Sequence, residues 1–102
     1  MARVHSDPFF SLAVRRSDAG TVVEVAGELD VATVPELEDA LADAEGQVTV
    51  DLSATTFADP AALRVLLAAR ANGVRIHVLP RRGGPVARLL ALTDTERLLS
   101  LA

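Results

Sequence analysis

Three aspartates, one pair of adjacent arginines and a short run of hydroxyls are the residues whose types and spacing could do chemistry. Asp51 and Asp59 are separated by a single strand-to-helix connection. Two carboxylates so placed could hold a divalent cation or share acid–base work. No further ligand cluster or general base accompanies them, and a strand-end charge beside a helix cap accounts for them more simply. Arg81-Arg82-Gly83-Gly84-Pro85 places two guanidiniums on a flexible loop before a helix start. That arrangement suits an anion or nucleotide, and it equally suits a solvated loop. Ser53, Thr55 and Thr56 lie in or before one loop, and His77 sits among apolar neighbours as a structural imidazole.

Composition closes off other chemistry. The chain has 102 residues, enough for one domain, with residues 1–8 expected as a tail. It contains no Lys, which excludes a P-loop NTPase or a Schiff-base enzyme, and no Cys, which excludes a thiol nucleophile and a Cys-based zinc site. Two histidines, His5 and His77, are too few for a multi-histidine metal centre. The formal net charge of −4 lacks the basic balance of a nucleic-acid binder. No apolar run is long enough to span a bilayer, and residues 1–10 carry no signal-peptide core. A cytoplasmic, non-enzymatic domain without metal or cofactor is expected. Its core is expected to be Val, Leu and Ala, with Phe9, Phe10 and Phe57 as the only rings.

The elements that must position these residues follow from periodicity. Phe9–Arg16 and Thr21–Ala26 read as strands joined by the Ser17–Gly20 turn. Thr33 and Glu36 have capping-box spacing, and Val34, Leu37, Leu41 and Ala44 then recur on one helical face until Gly46. Gln47–Ser53 alternates as a strand, and Ala54–Asp59 reads as a loop. Pro60 suits a helix start, and Ala61–Ala71 carries a stripe of Leu63, Leu66, Leu67 and Ala71 with Arg64 and Arg70 outside. Val74–Leu79 is a strand, Pro85–Leu92 a helix, and Thr95–Leu101 a last short helix capped by Thr93 or Asp94. The predicted fold is α/β, a mixed four-stranded sheet in the order β-β-α-β-α-β-α-α packed against helices, with right-handed parallel crossovers.

Three stretches then act together. Gly27-Glu28-Leu29-Asp30 links a strand to a helix. Val48-Thr49-Val50-Asp51-Leu52-Ser53 leads into Phe57-Ala58-Asp59-Pro60-Ala61-Ala62-Leu63. Val78-Leu79-Pro80 precedes Val86-Ala87-Arg88-Leu89-Leu90. From about Val22 to Leu99 this order resembles the STAS domain of bacterial anti-sigma factor antagonists.

The resemblance implies a cytoplasmic regulator of transcription that works by protein–protein contact. In that family the helix-start loop reads Asp-Ser-Ser-Gly-Leu. Its second serine is phosphorylated by a partner anti-sigma factor that is also a serine kinase. Unphosphorylated antagonist binds the kinase and frees the sigma factor, and the added phosphate charge breaks the contact. Here the loop reads Asp59-Pro60-Ala61-Ala62-Leu63, so the phosphoacceptor position holds the methyl group of Ala61. The resemblance implies a partner face made of Asp30, Asp59, Pro60, Ala61, Ala62 and Arg64. Asp30 and Asp59 also suit helix N-termini without any partner. Two alternatives stand beside the antagonist: an accessory subunit of an ABC transporter ATPase, and a small-ligand or nucleotide sensor using the Arg81–Pro85 loop.

Overall fold

Short turns and alternating β-branched residues begin the fold as a meander. The computed structural model describes residues 3–99, with side chains from Pro8 onward. Strands β1 (Arg3–Asp7), β2 (Phe10–Ser17) and β3 (Gly20–Leu29) pair antiparallel through the two-residue turns Pro8-Phe9 and Asp18-Ala19. The chain then crosses through α1 (Val34–Ala42) to β4 (Gln47–Ala58), and through α2 (Pro60–Ala71) to β5 (Arg75–Pro80). Both crossovers join parallel neighbours, and the sheet order is β1-β2-β3-β4-β5. Two successive right-handed crossovers that advance the same way leave their helices on one face of the sheet. Accordingly α1 packs on α2, and α3 (Pro85–Thr93) packs on β4 and α2.

The mixed α/β sheet and its order are as expected, with three differences. The residues read as a tail supply a fifth, edge strand, β1. The segment read as a loop, Ala54–Asp59, instead continues β4 to Ala58. The last expected helix does not form among the described residues: Thr95–Leu99 is a turn, with Ser100 and Leu101 outside that range. Its start is set by Asp94, which closes α3 in the left-handed conformation at φ 56°. The turn has its own use. The Val78 amide donates to the Leu99 carbonyl at 2.8 Å, so the returning chain satisfies the outer edge of β5.

The core lies between sheet and helices. Leu12, Val23, Val25, Val48, Val50 and Leu52 point inward from three neighbouring strands, each at most 2% exposed. Leu37 and Leu41 of α1, with Leu63 and Leu66 of α2, close over them. The opposite sheet face is half-covered and carries Glu24, Thr49, Asp51 and His77. Of the three rings expected inside, only Phe10 is buried. Phe9 is 72% exposed and Phe57 49%.

Two irregularities explain why β4 was not legible. Between the pairs Glu24↔Asp51 and Ala26↔Ala54, and again between Gly27↔Thr55 and Glu28↔Phe57, β4 carries one extra residue. Each bulge reverses which side chains face inward, because strand periodicity is two. After the first bulge Thr55, rather than an apolar residue, turns into the core. After the second, Phe57 faces out.

Candidate functional site

The C-terminal ends of the parallel neighbours β3 and β4 lie side by side, whereas β5 stops at Pro80, which pairs with Leu52, six residues before β4 ends at Ala58. Asp30 and Asp59 follow the ends of β3 and β4, so that end of the sheet brings these two aspartates and the start of α2 together, while Arg81 follows β5 at the level of mid-β4. The pairing Leu29↔Ala58 sets Asp30 and Asp59 at equivalent heights, and the Asp59 amide donates to the Leu29 carbonyl at 2.9 Å.

Asp59 caps a helix, and Asp30 holds the turn before one. Asp59 holds an extended backbone before Pro60, as a residue preceding proline should. Its Oδ1 accepts the Ala61 amide at 2.8 Å, satisfying one orphan donor of α2. Asp30 Oδ1 accepts the amides of Ala32 at 2.9 Å and Thr33 at 3.1 Å, in the turn that feeds α1. Thr33 does not cap through a box with Glu36. Its hydroxyl donates to the Glu28 carbonyl at 2.8 Å and accepts the Asp30 amide at 2.9 Å. Among the described residues neither Oδ2 has a hydrogen-bond partner, so each aspartate keeps one carboxylate oxygen unengaged.

Around these caps the surface is small and apolar. Pro60 is exposed, Ala61 half-buried and Arg64 exposed on the outer side of α2. Ala62, expected on the partner face, is only 2% exposed and belongs to the core, so the surface of this helix start is made by Pro60, Ala61 and Arg64. Three exposed apolar side chains that sequence reasoning did not place here border the same end: Phe9, Val31 at 68% exposure, and Phe57. The Glu28 amide donates to the Phe9 carbonyl at 2.8 Å, and Glu28 pairs with Phe57, so Phe9, Glu28 and Phe57 form one row across the strand ends. A shallow cleft of about 270 Å³ connects Phe9, Glu28, Asp30 and Thr33. The available signal was the apolar residue beside each motif aspartate: Val31 follows Asp30, and Phe57 precedes Asp59.

Other candidates stay apart. Asp51 lies mid-strand on the half-covered sheet face, roughly 20–25 Å along β4 from Asp59. Its Oδ1 accepts the Ser53 hydroxyl at 2.6 Å and the Ser53 amide at 3.0 Å. No cluster of three or more metal-ligating side chains occurs among the described residues. Arg81 and Arg82 are exposed, and Gly84 N-caps α3 without a side-chain bond. Of the neighbouring hydroxyls, Thr55 is wholly buried and Thr56 is exposed. No helix among the described residues is long and apolar enough to cross a membrane.

The family described as "Mlab, STAS domain" matches residues 12–100, and the chain belongs to the STAS domain family. An anti-sigma factor antagonist from Mycobacterium paratuberculosis is similar in structure, with 30% identity and a TM-score of 0.78 over 93% of this chain and 87% of that one. The antisigma-factor antagonist STAS domain from Rhodobacter sphaeroides shares the fold at 24% identity and a TM-score of 0.52, over 74% and 89% of the two chains. No curated protein sequence matches. The chain thus has the STAS fold of anti-sigma factor antagonists.

Proposed function

We propose that this chain is a non-enzymatic, cytoplasmic binding module that docks a serine-kinase-type anti-sigma factor without being switched by it. The docking face consists of Asp30, Asp59, Pro60, Ala61 and Arg64, backed by Ala62 and bordered by Val31 and Phe57. The observation that carries this reading is the start of α2. Asp59 builds the capped helix-start loop, and the residue whose amide it holds, Ala61, presents a methyl group where the family carries its phosphoacceptor. Small side chains allow close approach of a partner, and the free carboxylate oxygens suit basic groups on it.

Replacement of Ala61 by Glu tests the face directly. It adds charge where phosphate would stand, and the affinity for the anti-sigma factor should fall about tenfold or more, as for an interfacial charge left without a partner. Unchanged affinity would remove this face from the interface. The missing hydroxyl also favours a second reading, an accessory subunit of an ABC transporter ATPase, which needs a docking surface but no phosphorylation switch. In that case the chain co-purifies with an ATPase subunit and leaves sigma-factor release unaffected.

A further inference from the structure

We propose that a groove at the far end of α2 binds a phosphate-class anion. The groove measures about 420 Å³, and Arg70, Arg75 and Arg97 line it together. They come from three separate places: the last turn of α2, the first residue of β5, and the turn after α3. No carboxylate shares the lining. The other arginines of the sheet are differently placed: Arg15 pairs with Glu24 at 3.0 Å, and Arg16 donates to the Asp43 carbonyl at 2.6 Å. Among the described residues, none of the three groove guanidiniums has an ion-pair or hydrogen-bond partner.

Three of the ten arginines of an acidic chain therefore line one concavity. Like charges drawn together repel, and an oxyanion between them relieves that repulsion. Arg70 has a structural reason for its position, because a cation in the last turn of a helix is favoured. Arg75 and Arg97 have no such reason. Guanidiniums bind the paired oxygens of phosphate in a fork geometry that ammonium groups cannot match. Gly73 leaves the wall open, with no atom within 4 Å of where a Cβ would stand, and Val74, Ile76 and Leu98 give an apolar floor. The groove is about 18 Å from the helix start at Pro60, the length of α2, so it fills independently of the docking face.

Calorimetric titration of the full chain with inorganic pyrophosphate tests the site, and phenyl phosphate tests the apolar floor. Arg75→Gln and Arg97→Gln should each weaken pyrophosphate binding about tenfold, the effect of losing a charged hydrogen-bond donor. Arg82→Gln, which removes the same charge beyond the other end of β5, and Ala61→Glu should leave it within about twofold, since neither residue lines the groove. Both groove arginines are exposed, and matching melting curves would show that the variants fold. Phenyl phosphate binding tighter than inorganic phosphate assigns a ligand with an apolar body; equal binding assigns the free anion. No heat at millimolar pyrophosphate, or equal loss in Arg82→Gln, would overturn the proposal.

Discussion

The backbone amide of Asp59 donates to the carbonyl of Leu29 at 2.9 Å, and that one bond joins the two ends of the proposed docking face. It fixes the α2 cap against the residue before Asp30, which in turn caps the approach to α1. Each aspartate spends one carboxylate oxygen on its own turn, and the other has no hydrogen-bond partner among the described residues. If this is the docking face as proposed, the carboxylates are held by backbone geometry before any partner arrives. Such preorganisation lowers the ordering cost of association.

The two duties of Asp59 can be separated. Asp59→Ala loses the cap and should destabilise the domain by about 1 kcal/mol in urea unfolding. Asp59→Asn keeps a side-chain oxygen for the Ala61 amide and should hold stability within about 0.5 kcal/mol, since Asn and Asp cap comparably. If the charge meets a basic partner group, Asp59→Asn nonetheless weakens the complex. Equal affinity for Asp59→Asn and the parent chain would leave Asp59 a cap alone.

Gly27 tests the strand ends. Its φ of +92° is one that L side chains rarely adopt, and a Cβ there would collide with the Phe9 carbonyl oxygen. Gly27→Ala should cost about 3 kcal/mol or more, from strain plus displacement of the Pro8-Phe9 turn. Thermal unfolding reads the loss; a melting temperature near that of the parent chain would contradict the register described for β2 and β3.

Thr55 is an internal cost. Its hydroxyl is wholly buried and has no hydrogen-bond partner. A buried unsatisfied polar group costs about 1–3 kcal/mol, so Thr55→Val should raise stability by about 1 kcal/mol. A clear loss of stability would mean that the hydroxyl is satisfied in solution. The same burial removes Thr55 as a substitute phosphoacceptor in the folded protein, leaving exposed Thr56 as the nearest alternative.

Phe57 separates binding from folding. It is half exposed beside Asp59, and the second bulge of β4 aims it outward. Phe57→Ala should weaken the partner complex about tenfold or more, as aromatic anchors do. Its stability should change by only about 1 kcal/mol, because much of the ring is already solvated. A variant that unfolds instead would make Phe57 a core residue.

The sequence disclosed this fold wherever periodicity was unbroken. Val48, Val50 and Leu52 alternate cleanly, α1 shows its apolar stripe, and Pro60 and Asn72-Gly73 bound α2 as read. It failed where local pattern yields to long-range pairing. Two extra residues in β4 scramble the alternation over Ala54–Ala58, so a strand looked like a loop. The edge strand β1 depends on its pairing with β2 rather than on its own composition. The aspartates of the site were visible through their motifs and capping chemistry. Val31 and Phe57 were marked only by standing beside a motif aspartate, which does not tell which side an apolar residue faces, and the arginine groove assembles residues from three separate elements.

The most direct measurement is titration of the chain against a serine-kinase-type anti-sigma factor with ATP present, followed by the intact mass of both proteins. The account predicts a stable complex in which this chain gains no mass, and a parallel Ala61→Ser variant that gains one phosphate and dissociates. A parent chain that gains a phosphate would show that another hydroxyl, such as Thr56, has taken over the switch. No binding to any such factor would contradict the docking role itself and move the assignment to the transporter accessory reading.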